Sequence, residues 1–239
     1  MRARVGTSGY QYKFWRGSFY DEKLKEADML PAYAAQLETV EINNTFYRMP
    51  KREVLAKWAS QVPDGFRFAI KAPQRITHIE RLKPPAEGKS DSVSYLFTNL
   101  EALGDKLGMV LFQLPPNLKK DMPRLQAFLA RVPSGARISF EFRHESWNDP
   151  EVTDFLRERG IALCTADVDD GDTQLVPTAP FGYVRLRREV YSDDELAVWA
   201  KRIAAEPWSE VFVYFKHEEE APSFAKRLIS CFGLAAAVP

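Results

Sequence analysis

Eight short runs of β-branched and aromatic residues, separated by longer amphipathic stretches, narrow the folds open to this chain of 239 residues. The runs are 4–7, 39–43, 67–71, 109–113, 138–142, 162–166, 183–187 and 211–215. Helical periodicity occupies 28–36, 52–60, 92–106, 122–131, 151–159, 193–205 and 222–231. Strands alternating with helices imply parallel pairing through crossover connections. Eight of them can close, so the expected fold is α/β, a TIM-type (β/α)8 barrel with a parallel closed sheet. An open doubly wound sheet of the same strands is the alternative. After the sixth run, 167–181 carries Gly171, Pro177 and Pro180 without a helical period, so no regular helix is expected there. Helix starts are read at Ser92, Asp121, Asp149 before Pro150, and Ser192 with Glu195 as a capping box; stops are read at Gly108 and Gly160.

Nothing divides the chain, and 1–239 is taken as a single barrel domain. Hydrophobic residues at 45% and charged residues at 28% suffice for a core and a hydrated surface. Lys and Arg total 33, as do Asp and Glu, so the global basic excess of a nucleic-acid coat is missing and any anion site must be local. Cys164 and Cys231 stand in apolar surroundings without CxxC spacing and are expected as free thiols. The first residues run into a strand with no apolar h-region, and no 18 apolar residues follow one another; a cytoplasmic location and no membrane partner are expected. The segment 72–91, with Pro73, Pro84, Pro85 and Gly88, reads as a lid or an unstructured loop.

Side chains alternate between the two faces of a strand. If the apolar members pack on helices, the lumen receives Glu41 and Asn43, then Lys71, Gln113, Glu141 and Arg143. The sixth strand leads through Thr165 to Asp167, the seventh aligns Tyr183, Arg185 and Arg187, and the eighth aligns Phe212, Tyr214 and Lys216. All become polar at their C-terminal ends, where barrel enzymes place their sites. Glu41, Glu141 and Asp167 face the larger positive set of Lys71, Arg143, Arg185, Arg187 and Lys216, a balance suited to phosphate or carboxylate. Glu41, Lys71, Glu141, His144 and Asp167 are the candidate catalytic groups. Rim aromatics, among them Tyr10, Tyr12, Trp15, Phe46, Tyr47 and Trp147, either pack the barrel mouth or stack on a ligand. His78, His144 and His217 form no HxH or HExxH pattern. No cofactor is predicted; a hard divalent cation on the three acids is the alternative. Covalent catalysis by Lys71 would need a depressed pKa, which burial beside arginines can produce.

The segments GTSGYQYKFWRGSFY, TVEINNTFYRMP, FRFAIKAPQRITHIERL, FQLPPNL and FEFRHESW, in this order, resemble the successive motifs of the YecE-like family, a domain of unknown function. The resemblance implies a barrel and places the family's polar positions on Glu41, Asn43, Lys71, His78, Gln113, Glu141, Arg143 and His144. Tyr10 stands where the family pattern implies Trp, Arg187-Arg188 where it implies His-Gly, and Lys216-His217 where it implies paired asparagines. It implies no settled reaction. The expected function is therefore an enzyme acting on a phosphorylated or other anionic small molecule, with Arg143, Arg185 and Lys71 holding the anion and Glu41 or Glu141 moving a proton. The alternatives are a metal-assisted phosphodiester hydrolase with nucleic acid as its partner, and a non-catalytic anion-binding module. Oligomeric state is not legible.

Overall fold

Every neighbouring strand pair is parallel, and the ring closes. In the computed structural model, which describes residues 1–48, 50–168, 173–216 and 218–235, the strands are β1 (Arg2–Ser8), β2 (Thr39–Ile42), β3 (Arg67–Lys71), β4 (Leu107–Gln113), β5 (Ile138–Glu141), β6 (Ala162–Asp167), β7 (Phe181–Leu186) and β8 (Glu210–Phe215). β1 pairs with both β2 and β8, so the sheet is a barrel and not an open layer. The outer ring consists of α1 (Met29–Ala34), α2 (Arg52–Ser60), α3 (Ser92–Leu100), α4 (Met122–Leu129), α5 (Pro150–Glu158), α6 (Asp193–Ala204) and α7 (Ala221–Ala235). Between β6 and β7 the described residues contain no helix, as the prolines there predict. Gly171 and His217 lie outside the described residues. Among the described residues no helix is long and apolar enough to cross a membrane.

Alternation along the strands separates two cores. Outward residues such as Val40, Ile42, Phe68, Ile70, Val110, Phe112, Phe140, Val184 and Val213 join the helices in one large apolar cluster. Inward residues Ala69, Met109, Leu111, Ala162, Cys164, Tyr183, Phe212 and Tyr214 form a second cluster that fills the lumen. Beneath it, Glu210 at the start of β8 accepts hydrogen bonds from Arg4 Nε and, at 2.7 Å, from Arg137 Nη1. The Arg137 guanidinium lies over the Phe181 ring, 4.4 Å from its centroid. The N-terminal end of the barrel is thus plugged by paired charges on aromatic rings, and polar groups of the lumen collect at the other end.

Local chemistry explains most helix boundaries. Asp121 accepts from Arg124 N–H, Asp149 from Glu151 N–H, and Ser192 forms the full capping box with Glu195. Three readings are corrected. Asp91 rather than Ser92 caps α3, its carboxylate accepting the Val93 N–H at 2.9 Å. The single helix expected over 92–106 gives way after Leu100 to a 3-10 stretch, Glu101–Lys106, which is itself kinked at Gly104, φ +51°. Gly108 is no helix stop: it sits in β4, where a Cβ would lie 2.9 Å from the Phe212 ring, so the missing side chain makes room in the lumen. Both cysteines are free, Cys164 buried and Cys231 half-buried.

Gly182 on β7 makes room on the helix side of the sheet instead, since a Cβ there would stand 2.6 Å from Trp208 Cδ2. Gly182→Ala is expected to lower stability by about 1–3 kcal/mol through overpacking. The midpoint of urea unfolding measures it, and an unchanged midpoint would contradict this packing.

Candidate functional site

Three strands that are not neighbours deliver the centre of the site. Glu41 from β2, Glu141 from β5 and Arg185 from β7 all face inward and meet at the C-terminal end of the lumen. Arg185 Nη2 donates to Glu41 Oε1 at 3.0 Å, and its Nη1 donates to Glu141 Oε2 at 2.6 Å. Glu41 is 0% exposed and Arg185 is 2% exposed. A lone charge at such depth would cost several kcal/mol; here each carboxylate finds the same cation and further donors. Ser8 Oγ (2.6 Å) and Asn43 Nδ2 (2.9 Å) donate to Glu41 Oε1, and Tyr183 Oη donates to Glu41 Oε2 at 2.8 Å. Gln113 Nε2 (2.8 Å) and Arg143 Nε (3.0 Å) donate to Glu141 Oε1.

These contacts set the protonation states. Burial pushes the Glu41 carboxyl up, but the Arg185 charge and the donors from Ser8, Tyr183 and Asn43 outweigh it and hold it below the ordinary value. Burial acts likewise on Glu141, where Arg185, Arg143 and Gln113 prevail and bring the pKa to about 2. Burial opposes the charge on Arg185, and the two glutamates more than restore it. Both acids are ionised at neutral pH. The expected use of Glu41 or Glu141 as a proton carrier does not fit carboxylates held this firmly as anions.

Above this neutralised floor stand cations with few partners. Lys71 ends β3, with Nζ 4.2 Å from the centroid of the Phe46 ring. Burial, with Arg185 beside it, lowers its pKa to about 8, while Glu41 and Glu141 partly compensate. Arg187 follows β7, and burial and Arg185 both press on its charge. Neither Lys71 nor Arg187 has a side-chain hydrogen bond or ion pair among the described residues. Arg143 gives its Nε to Glu141 and is otherwise open to the mouth. Glu41 and Glu141 against Arg185, Arg143, Arg187 and Lys71 leave two positive charges in excess when Lys71 is protonated.

The segment 72–91 is partly built into this wall. Arg75–Ile79 forms one turn of π-helix, Ile76, Thr77 and Leu82 are buried, and Arg81 and Leu82 adopt φ +52° and +65°. Arg81 is tied to the next loop by Nη1 donating to Asn117 Oδ1 at 3.0 Å. His78 is thereby set edge-on to Phe46, 4.9 Å between ring centroids, with Nδ1 2.8 Å from Thr77 Oγ1. Burial and the neighbouring charges of Lys71, Arg143 and Arg81 lower its pKa, so it is neutral at pH 7. Beside Asn43 a cleft of about 210 Å³ opens between Gly9–Tyr12 and Ile42–Asn44.

Several expected site residues lie elsewhere. On β6 the small residues Ala162 and Cys164 face the lumen, which leaves Asp167 on the opposite face, where Arg188 Nε (2.7 Å) and Tyr191 Oη (2.8 Å) donate to its Oδ2. Trp15 and Trp147 are buried structural rings: their Nε1 groups donate to Glu218 O and Leu118 O, and Trp147 stacks on Phe142 at 4.4 Å. Tyr10 is buried, in a tilted contact with Tyr33. Tyr47 is 77% exposed, packing edge-on to Phe46. Tyr12 does reach the site: its hydroxyl donates to Ser8 O, and burial and the Glu41 charge push its pKa to about 12. His144 Nδ1 accepts the Ser146 N–H at 3.1 Å, capping the turn after β5. Lys216 is paired with Glu218 Oε1 at 2.6 Å. Sequence reasoning missed Ser8 as a member, Phe46 was read only as a rim aromatic, and Tyr183 was placed inward without a role.

Among the described residues no three His, Cys, Asp or Glu side chains converge on a point that could hold a metal ion. The Arg185 guanidinium fills the space between two of the acids expected to do so, and the third faces away.

Fold and site together define a TIM-type barrel with a polar, basic-leaning cluster of side chains at the C-terminal ends of the strands. Residues 4–238 match the family model described as "Protein of unknown function DUF72", and the chain belongs to that family. The UPF0759 protein YunF of Bacillus subtilis is 26% identical over 223 residues, covering 88% of this chain and 78% of YunF. The UPF0759 protein YecE of Escherichia coli is 34% identical over 138 residues, 55% of this chain and 49% of YecE. Among solved structures, a DUF72 family protein of Thermotoga maritima superposes with a TM-score of 0.79 at 25% identity, covering all of both chains. A DUF72 family protein of Enterococcus faecalis gives a TM-score of 0.74 at 20% identity, covering 100% of this chain and 98% of the other.

The ion triad makes two predictions. Arg185→Met strands two buried carboxylates and is expected to cost about 3–5 kcal/mol in chemical denaturation, against much less for Arg143→Met, whose guanidinium lies at the mouth. The second concerns acid. Because the folded pKa of Glu141 is depressed from 4.5 to about 2, its contribution is complete above pH 4.5 and is lost as pH falls through that interval. Glu141→Gln should flatten the fall in melting temperature between those pH values; a decline as steep as the parent's would contradict the assignment.

Proposed function

We propose that the barrel mouth is the active site of an enzyme that binds a small molecule through a phosphate or carboxylate group. The supporting observation is the pair Lys71 and Arg187, buried enough to lower both pKa values yet without a side-chain hydrogen bond or ion pair among the described residues. Cations left this way are stabilised when an anion arrives, because a charge-assisted hydrogen bond then replaces a partly dehydrated charge. Arg143 supplies a third donor at the mouth. Arg185, expected to contact the ligand, instead orients Glu41 and Glu141, which fix the positions of Asn43, Tyr183, Gln113 and Arg143. The groups suited to proton transfer near neutral pH are Lys71, with its pKa near 8, and neutral His78. The phosphodiester-hydrolase alternative relied on acids that here face Arg185 and Arg188.

Thermal unfolding in graded inorganic phosphate tests the reading. Phosphate should raise the melting temperature of the parent, and Arg187→Met should weaken the apparent affinity by about 10- to 100-fold, the equivalent of one hydrogen bond to a charged group. No stabilisation, or the same stabilisation in the variant, would overturn the anion site. Stabilisation by phosphorylated compounds with no turnover of any would instead identify a non-catalytic binding module.

A further inference from the structure

Two lysines stand at the lumen ends of the strands, and their surroundings differ in kind. The Lys216 ammonium is held by Glu218. Lys71 Nζ faces the Phe46 ring and has no hydrogen-bond or ion-pair partner among the described residues. The charged and titratable groups around it are Arg185, Arg143, Glu41, Glu141 and His78. Both glutamates already bind Arg185, so neither is committed to the lysine.

A site meant only to hold an anion is best served by a lysine that stays protonated. Burial beside two arginines does the opposite and leaves about a tenth of Lys71 as free amine at pH 7, where an unperturbed lysine has well under about a thousandth. Desolvation next to another cation is how a lysine becomes a nucleophile toward carbonyl carbon.

We propose that Lys71 forms a covalent imine with an aldehyde or ketone that carries a phosphate or carboxylate, the anionic group being held by Arg187 and Arg143. This rests on the anion-binding reading above and names its substrate class. In the step, the neutral amine adds to the carbonyl carbon and forms the C–N bond. The carbonyl oxygen then leaves as water, so the ammonium and the carbonyl compound give a protonated imine and one water, with charge conserved. The cationic imine stays beside Glu41 and Glu141, whose negative charges favour it.

Pyridoxal 5′-phosphate is a suitable probe because it joins an aldehyde to a phosphate. The folded full-length protein is treated with it, reduced with borohydride and mapped by peptide mass. Lys71 should be labelled roughly tenfold or more faster than surface lysines. The rate should rise with pH through a midpoint near 8. Inorganic phosphate should slow it, Arg187→Met should slow it, and Lys71→Arg, checked for an intact thermal transition, should lose that label alone. Labelling spread evenly over surface lysines while phosphate still stabilises the protein would overturn the imine and leave the anion site standing. Fast labelling of Lys71 that phosphate neither slows nor accompanies with stabilisation would overturn the anion site and leave the imine standing.

Discussion

The guanidinium of Arg185 holds one carboxylate on each side, Glu41 from β2 and Glu141 from β5, and the arrangement of the barrel mouth follows from it. Only a closed sheet brings three non-adjacent strands to one point, so the triad depends on the fold. The dependence is mutual: at this depth the three charges are tolerable only as a set with Ser8, Asn43, Tyr183 and Gln113 as additional donors. Because each carboxylate is also hydrogen-bonded by side chains from neighbouring strands or loops, the triad sets the positions of most polar groups around it.

A neutralised floor changes what the remaining charges can do. With Arg185 occupied, Lys71, Arg187 and the outer part of Arg143 face the opening with little to oppose them. The glutamates stand as fixed negative charges, while a lysine with its pKa lowered to about 8 and a histidine kept neutral lie around one phenylalanine ring. The β-strands thus carry a paired ionic base, and above it lies a rim formed by the last residue of β3 and the loops that follow the strands.

Strand periodicity made the barrel legible, along with most of its inward-facing polar residues, because a two-residue period leaves little freedom once one face is apolar. It failed at β6. There the inward positions are the small Ala162 and Cys164, with Cys164 and Ala166 the register partners of the bulky Tyr183 and Arg185 of β7, and the polar Asp167 belongs to the other face. A rule that sends polar residues inward has no means of knowing that the lumen lacks room. Gly108 misled for a related reason, its missing side chain answering to Phe212 from across the barrel. The tryptophans look the same in sequence whether they line a ligand or support a loop, and only the hydrogen bonds of Trp15 and Trp147 decide. Sequence also could not pair the charges. Five bases and three acids were counted, while the assignment of Arg185 to Glu41 and Glu141, Arg188 to Asp167 and Lys216 to Glu218 comes from geometry.

The central claim is that Arg185 belongs to the protein's own carboxylates and that the ligand's charge falls to Lys71, Arg143 and Arg187. Electron density from crystals grown in phosphate reads this directly. The account predicts an anion at the mouth within hydrogen-bond distance of Arg187 and at least one of Lys71 and Arg143, with Arg185 still bridging Glu41 and Glu141. An anion seated on Arg185, with either glutamate swung away from it, would contradict the account.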